Sequence, residues 1–277
     1  MNSVPLPALS VARVSGPDAA DFLQAQLSAD IAAVAPGAAG FACYCSPRGQ
    51  VLGLLLVCRR DEGFLMLAAR SLLPGLVDRL RMFVLRARVE MQVEPEWAIC
   101  GLPDPGDATV ARSRWRAGET GLYYAVFEEG AQGSRKALDA ERNVPGWKRA
   151  EFEAGICWLG PETAERFIPQ MLGFDRIGAV SFSKGCYPGQ EIIARARYLG
   201  RVKRKPLLLA VEGRITPQPG GHADLFRDGE WSEATVVDSV PSGEDSTWVF
   251  IVGPADPDGA GVKALRLDGA DYRCATM

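Results

Sequence analysis

The sequence contains very little histidine and no long hydrophobic run. His222 is the single histidine among 277 residues, so mechanisms that need a pair of imidazoles are excluded. It lies in a glycine-rich stretch that reads as an exposed turn, and we predict a plain surface residue. No apolar run approaches the roughly 20 residues that cross a bilayer. The first residues lack the basic and apolar regions of a signal peptide. We therefore expect a cytoplasmic protein with no membrane partner.

The cysteines form neither a disulfide framework nor a metal-binding pattern. There are seven, an odd number, at positions 43, 45, 58, 100, 157, 186 and 274. Cys43 and Cys45 are the only close pair, and nothing has the paired C-x-x-C spacing of a zinc or cluster site. Without a secretion signal, reduced thiols are expected. We predict no metal site.

Excess positive charge is also absent. The formal net charge is −3 and the hydrophobic fraction is 47%, both ordinary for a globular protein. This balance argues against an overall nucleic-acid-binding surface. A basic cluster at 195–205 is the one candidate for a local contact.

The segment 184–191 reads K-G-C-Y-P-G-Q-E and places a cysteine between two glycines, ahead of an amphipathic segment. Pro188 suits the first turn of a helix and Gly200 its end, which predicts a helix at about 188–199. Glu191 and Arg195 lie four residues apart and can pair on its outer face. The inner face is predicted to hold Ile192, Ile193, Ala196 and Leu199.

Cys186 is the candidate reactive residue. It precedes the predicted helix N-terminus, whose free N–H groups favour an anion. Between residues 184 and 205 there are seven basic residues and one acid, Glu191. Both features favour a thiolate. The alternative is a buried, inert cysteine, but the neighbours are glycine, proline and polar residues, which favours exposure.

The remaining pattern predicts an α+β protein. Pro17 and Asp18 open a predicted helix that runs to about Ala29, and Ser71 is predicted to cap a second helix. The inner face of the second helix would hold Leu72, Leu76, Leu80 and Phe83. The apolar run 51–57 predicts a strand buried on both faces. Short strands are also predicted near 108–115 and 122–127. After residue 200, five or six short strands with Asp-Gly turns predict a small β-barrel.

The motif K-G-C-Y-P-G-Q-E-I-I-A-R resembles the signature of the YgfZ family of folate-binding proteins. These are relatives of the aminomethyltransferase, or T-protein, of the glycine cleavage system. The stretches A-R-V-S-G-P-D-A-A-D-F-L, C-Y-C-S-P-R-G-Q-V and F-I-P-Q-M-L-G also resemble this superfamily, in the same order. The resemblance implies an α+β, T-protein-like fold. Two interleaved α+β lobes over 1–200 would carry a folate pocket, and 201–277 would form the barrel.

The resemblance also implies a function. It implies a protein that binds tetrahydrofolate or a derivative and supports the assembly or repair of iron–sulfur enzymes, including those that thiolate tRNA. Its partners would be folate and iron–sulfur client enzymes. Separately, the basic residues of Arg195–Lys205 suggest a weak tRNA contact, and the alternative for them is a solvated charged face. It leaves open which folate species binds and whether there is catalytic turnover.

Cys186 is the residue that the resemblance makes essential. The cofactor-binding residues that it implies are Lys184, Gly185, Tyr187, Gly189, Gln190, Glu191 and Arg195. The two glycines would permit a positive φ or a close approach to the ligand. Lys184 would supply positive charge, Tyr187 would stack on the pterin ring and Gln190 would pair with its amide edge. Simple packing is the alternative for Tyr187, and a favourable charge at the helix N-terminus is the alternative for Glu191.

Two other function classes stay open. One is a folate-dependent aminomethyl or one-carbon transferase of the T-protein type. In that protein an aspartate on the turn after the third strand serves the transfer. The corresponding stretch here, 67–75, contains no acid or amide, and Asp78 is the nearest acid. The other class is an RNA-binding module that uses the basic cluster.

Overall fold

The described residues form two open antiparallel sheets, a closed barrel and four short helices. The computed structural model describes residues 3–102, 113–118, 120–127, 144–198, 202–255 and 261–277. A five-stranded sheet has the order β3-β4-β5-β2-β6. Its strands are β2 (Leu9–Ser15), β3 (Ala39–Cys45), β4 (Val51–Arg60), β5 (Gly63–Ala69) and β6 (Glu90–Glu94). The four-stranded sheet contains β1 (Val4–Pro5), β7 (Ala98–Leu102), β8 (Ser113–Arg116) and β9 (Tyr123–Phe127). Because β1 belongs to the second sheet and β2 to the first, the two lobes interleave along the chain.

The five-stranded sheet is buried on both faces. In β4, Leu54 and Leu56 belong to the hydrophobic cluster on one face, while Leu55 and Val57 belong to the cluster on the other. The second cluster includes residues of α1 (Ala19–Gln26) and α2 (Leu73–Arg81). A strand with both faces covered needs apolar side chains at every position. The prediction from the run 51–57 is therefore confirmed.

The predicted ends of these two helices are wrong. The chain becomes extended at Leu27, so α1 stops at Gln26 and not at Ala29. Leu27 instead forms an isolated bridge with Tyr44, which takes the backbone out of the helix.

In α2 the predicted cap and inner face both need correction. Ser71 does not cap the helix. The residue immediately before the helix is Leu72, which has a helical backbone conformation and forms no side-chain capping hydrogen bond. Phe83 lies beyond the helix end and is 48% exposed. The buried positions are Leu73, Leu76, Val77 and Leu80.

The C-terminal strands close a six-stranded barrel, in the order β10-β13-β12-β11-β14-β15. They are β10 (Arg204–Glu212), β11 (His222–Arg227), β12 (Glu230–Pro241), β13 (Ser246–Pro254), β14 (Ala264–Leu267) and β15 (Ala270–Thr276). The two Asp-Gly pairs, Asp228-Gly229 and Asp268-Gly269, both have positive φ at each residue, as hairpin turns with the twist of their strands require. The predicted barrel and the predicted α+β fold class are confirmed.

The third helix joins the barrel to the rest of the chain. In α3 (Val144–Glu153), Lys148 Nζ donates a hydrogen bond of 2.7 Å to Asp238 Oδ1 on β12. The rings of Phe152 and Phe250 pack 5.5 Å apart. These contacts fix the barrel against the α+β region, while the division of the chain at residue 200 stays a prediction.

Two further expectations concern chain segments and membranes. The strand predicted near 108–115 falls partly outside the described residues, and β8 accounts for its end. Over the described ranges, no helix combines the length and apolarity that a bilayer crossing requires.

Candidate functional site

The segment that leads into the motif is fastened to the end of α1 and to β3 by one buried serine. Ser28 Oγ donates a hydrogen bond of 2.5 Å to the Ala179 carbonyl and accepts one of 2.8 Å from the Cys43 N–H. The Ser181 N–H donates to the Ser28 carbonyl at 2.9 Å. Because Ser28 is fully buried, these bonds are shielded from competing water. The start of the motif is therefore held in place by residues about 150 positions earlier in the chain.

Lys184 continues this attachment. Its ammonium group donates hydrogen bonds to the carbonyls of Gln24, Leu27 (2.7 Å) and Ala29 (3.0 Å). The last carbonyls of a helix have no partners within the helix, and a lysine near them is favourable. Burial lowers the pKa of Lys184 to about 8, and the charge of Asp30 partly opposes this shift. An ammonium group has three N–H donors, so this geometry uses all of them within the protein. The predicted role of Lys184 in ligand binding stays a prediction. Because its donors are already used, Lys184 could act on a ligand only through its positive charge.

Cys186 is exposed to solvent. The other free cysteines differ, because Cys43, Cys45, Cys58, Cys100 and Cys157 are buried and Cys274 is half-buried. The alternative of a buried, inert Cys186 is therefore wrong. Gly185 is also exposed, its φ is not positive, and a Cβ placed on it would meet no atom within 4 Å. The positive φ predicted for Gly185 is wrong, whereas a close approach to a ligand stays a prediction.

Tyr187, the next residue, points the other way and is only 7% exposed. It belongs to the large core cluster that also contains Cys43 and Cys45. Burial raises the pKa of Tyr187, and these two cysteines raise it further. The Lys184 ammonium lies 5.3 Å from the centre of its ring. These contacts agree with the alternative that Tyr187 packs in the core. Its stacking on a pterin ring stays a prediction.

The motif turn rests on the hairpin between β3 and β4. Gly189 has φ +80°, and a Cβ on it would lie 2.5 Å from the Ser46 carbonyl oxygen and 2.6 Å from the Gly49 Cα. Only glycine satisfies both conditions. The close approach predicted for Gly189 is thus to the protein's own backbone. A cleft of about 480 Å³ opens at this hairpin, lined by Ser46, Pro47, Arg48, Gln50 and Glu165.

The helix after the motif begins later than predicted. It is α4 (Gln190–Tyr198), so Pro188 lies in the preceding turn and Cys186 stands four residues before the first helical residue. The predicted end at Leu199 and Gly200 lies outside the described residues.

The inner face of α4 also differs from the prediction. Ile193 is its buried residue, whereas Ile192 is 40% exposed and Ala196 is half-buried. Ile192 lies over Gly49 at the hairpin turn and not in the core. The predicted pair of Glu191 and Arg195 is present at 3.5 Å on the exposed face.

Two polar atoms beside the motif are buried and lack a hydrogen-bond partner in the structure as described: Gln170 Oε1 and Ser46 Oγ. Gln170 lies in the 3₁₀ turn Pro169–Met171, and its Nε2 donates a bond of 2.7 Å to the Ile193 carbonyl of α4. Burying an acceptor without a donor is costly, so each atom suits a ligand N–H or O–H. A pterin ring presents such donors, and the residues present fit it. Sequence reasoning missed both residues, although Gln170 interrupts the apolar stretch F-I-P-Q-M.

A second polar group that the sequence did not reveal lies under the four-stranded sheet. Glu151 Oε1 accepts hydrogen bonds from Tyr124 Oη (2.6 Å) and Trp158 Nε1 (2.9 Å). Burial raises the pKa of Glu151, and these hydrogen bonds oppose the shift. The group ties α3 to β9.

In the described part of the chain, no three His, Cys, Asp or Glu side chains gather closely enough to hold a metal ion.

Substitution of Lys184 by methionine should loosen the Cys186 segment. Three carbonyls lose their donor, and we expect amide exchange over 181–187 to accelerate about tenfold. Lys184→Arg keeps charged donors and should restore most of the protection. Exchange measured by mass spectrometry checks this, and unchanged exchange in Lys184→Met would contradict it.

The same variant gives a pH test. The pKa of Lys184 is below its ordinary value of 10.5, so the unfolded chain binds more protons between pH 8 and 10.5. The stability of the wild type should therefore rise relative to Lys184→Met as pH increases through this window. Urea unfolding at pH 7 and pH 9.5 measures the difference.

Comparison with solved structures identifies the fold. The crystal structure of the glycine cleavage system aminomethyltransferase T from Bartonella henselae matches with a TM-score of 0.72, covering 99% of this chain and 84% of that one, at 17% identity. The chain therefore has the aminomethyltransferase T fold.

Comparison with curated sequences finds relatives that match most of this chain. The tRNA-modifying protein YgfZ of Klebsiella pneumoniae is 27% identical over 293 residues, 95% of this chain and 88% of the relative. The protein of the same name from Photorhabdus laumondii is 27% identical over 282 residues, 92% and 84% respectively. An uncharacterized protein of Haemophilus influenzae is 28% identical over 256 residues, 88% and 86%. No protein-family model matches the chain. Over most of its length the chain is similar to YgfZ proteins, as the motif predicted, and it shares the fold of aminomethyltransferase T.

Proposed function

We propose that this protein is a folate-binding accessory factor that acts in the cytoplasm and supports the assembly or repair of iron–sulfur enzymes, including enzymes that thiolate tRNA. Cys186 is its reactive group. The observation that carries the proposal is an exposed thiol on a segment whose neighbours, Ser181 and Lys184, are hydrogen-bonded to the end of α1. A thiol presented on an anchored segment can meet a partner protein without first ordering the chain.

The folate would be held by residues beside this segment. Gln170 and Ser46 each offer a buried oxygen that needs a donor, and Gln190 begins the helix next to Gly189. Bound tetrahydrofolate supplies a reduced ring system that carries one-carbon groups. The protein's own residues orient that ring and keep the thiol at the surface.

A folate-dependent aminomethyltransferase is the alternative that the fold alone would suggest. The turn between β5 and α2 lacks the acid that this reaction needs, as the sequence indicated. Asp78, the nearest acid, points away to solvent at 72% side-chain exposure and pairs with Arg81 at 2.9 Å. This geometry supports the accessory role over the transferase.

Calorimetry with tetrahydrofolate tests the folate part of the proposal. The wild type should bind, and Cys186→Ala should bind with nearly the same affinity because the thiol is not needed to hold the ring. Ser46→Ala removes a buried hydroxyl that would bond to the ligand, so tetrahydrofolate binding should weaken about tenfold. Because this hydroxyl makes no observed hydrogen bond in the protein, the free protein should be no less stable. A wild type that binds no tetrahydrofolate would remove folate from the proposal, and Ser46→Ala with wild-type affinity would move the site elsewhere.

A further inference from the structure

Three flat side chains lie close together on α4 and on the segment that precedes Cys186: the half-buried Phe182 and the exposed Arg197 and Tyr198, which we call the stacking surface. The Arg197 guanidinium lies 4.1 Å from the centre of the Phe182 ring and 6.0 Å from that of Tyr198. The two rings meet edge to face at 6.2 Å. Tyr198 is 66% exposed, the highest value that an aromatic side chain reaches within the described ranges. An exposed ring beside a guanidinium group offers a face on which a planar ligand can stack.

The charge around the stacking surface is positive. Arg195 and Lys203 are both exposed next to it in sequence, and Arg197 is exposed as well. The one acid on this helix, Glu191, lies 3.5 Å from Arg195, and both side chains stay largely exposed to solvent.

Among the described residues of the basic run predicted at 195–205, not every cation faces solvent. Arg204 is turned toward the barrel, where its Nη2 donates to the Val252 carbonyl at 2.9 Å and to Thr235 Oγ1 at 3.3 Å. Among the described basic residues of this run, Arg195, Arg197 and Lys203 are exposed, whereas Arg204 and Lys205 are half-buried.

We propose that the stacking surface binds single-stranded RNA, with unpaired bases stacked on Tyr198 and on the Arg197 guanidinium and with phosphates bound by Arg195 and Lys203. Aromatic and guanidinium planes combined with cations are the common means of holding unpaired nucleotides. Phe182 belongs to the same segment as Cys186, four residues earlier, so bound RNA would lie beside the thiol. The inference rests on the proposed function in this one respect, since it adds a partner to the same site.

RNA fits this surface better than a client protein does. Protein interfaces bury a large apolar centre, whereas the only exposed large aliphatic residue on α4 is Ile192, which lies over the hairpin turn. Here the two exposed planar groups are polar, because Arg197 is cationic and Tyr198 carries a hydroxyl. A duplex hides its base faces, which predicts a preference for single strands.

Fluorescence anisotropy with a labelled twelve-residue oligoadenylate tests the proposal. We expect Tyr198→Ala to weaken binding about tenfold, because one base loses its stacking partner. Tyr198→Phe keeps the ring and should retain most of the affinity. Arg195→Glu and Lys203→Glu should each reduce the dependence of binding on salt concentration.

The barrel supplies a matched control. Arg266 lies 3.8 Å from the ring centre of Trp231, a similar cation–aromatic pair, but Arg266 is held by Asp271 at 2.6 Å. Trp231→Ala should therefore bind oligoadenylate as the wild type does. An equal loss in Trp231→Ala, or equal affinity for duplex RNA, would overturn the proposal.

The outcome is separable from that of the proposed function. Cys186→Ala should keep its full affinity for oligoadenylate, because no step of RNA binding uses the thiol. Absence of RNA binding at low salt would overturn this inference while calorimetry still reports tetrahydrofolate binding. In that case the stacking surface would be a candidate binding site for a client protein.

Discussion

Cells that carry Cys186→Ala in place of the wild type should lose the iron–sulfur enzyme activity that the proposed function assigns to this protein, down to the level of cells without the gene. The thiol is the only group removed, and it is exposed, so its loss leaves no cavity. We expect the free energy of unfolding to change by less than about 0.5 kcal/mol. Activity of a tRNA-thiolating enzyme in extracts is the direct measurement.

Cys274→Ala is the control for this experiment. Cys274 is half-buried on β15 of the barrel, and burial raises its pKa to about 11, so at neutral pH it is an un-ionised thiol. Its alanine variant should support full activity. Cys186→Ser adds a further arm, because a hydroxyl keeps the size and the hydrogen bonding but not the nucleophilicity of sulfur. Full activity in Cys186→Ala would show that the thiol has no part in the function.

A second large effect is expected on stability, from Gly189→Ala. The new Cβ would have to occupy space held by the Ser46 carbonyl at 2.5 Å and the Gly49 Cα at 2.6 Å, and both are backbone atoms that cannot rotate away. The positive φ of +80° adds further strain. We expect a loss of about 3 kcal/mol or more in the free energy of unfolding. Urea unfolding, followed by circular dichroism, measures this loss.

Gly178→Ala separates the two causes of that loss. Gly178 has nearly the same φ, +74°, but a Cβ placed on it would meet nothing within 4 Å. Its alanine variant should lose only the cost of the left-handed conformation, about 1–2 kcal/mol. The difference between the two variants in the free energy of unfolding measures the cost of separating the motif turn from the hairpin. Equal losses would mean that this contact contributes little.

The parts of the fold that could be predicted from the sequence are those governed by local chemistry. Asp228-Gly229 and Asp268-Gly269 adopt the backbone that their residue types favour, so the barrel hairpins followed directly. The unbroken apolar run 51–57 specified a strand covered on both faces. In each case the signal lies within a few residues of the structure that it predicts.

The errors arose where distant residues decide the local structure. Ile192 has the spacing of a core residue, yet the hairpin turn at Gly49 lies beneath it. The contacts of Lys184 were also missed, because the open carbonyls that bind its ammonium group lie at the end of α1, about 160 residues earlier. Gln170 carried no local sign of its buried oxygen. Periodicity cannot report such contacts, because it records only which face of an element is apolar.

The hydroxyl of Ser28 has a consequence for how the protein is made. It joins Cys43 to Ala179, so the surroundings of Cys186 are complete only after most of the polypeptide has been synthesised. Contacts between such distant positions form late in folding. A growing chain on the ribosome, or a truncated product, therefore carries this sulfur without its anchoring partners, and a functional site arises only once the two ends of the α+β region have met.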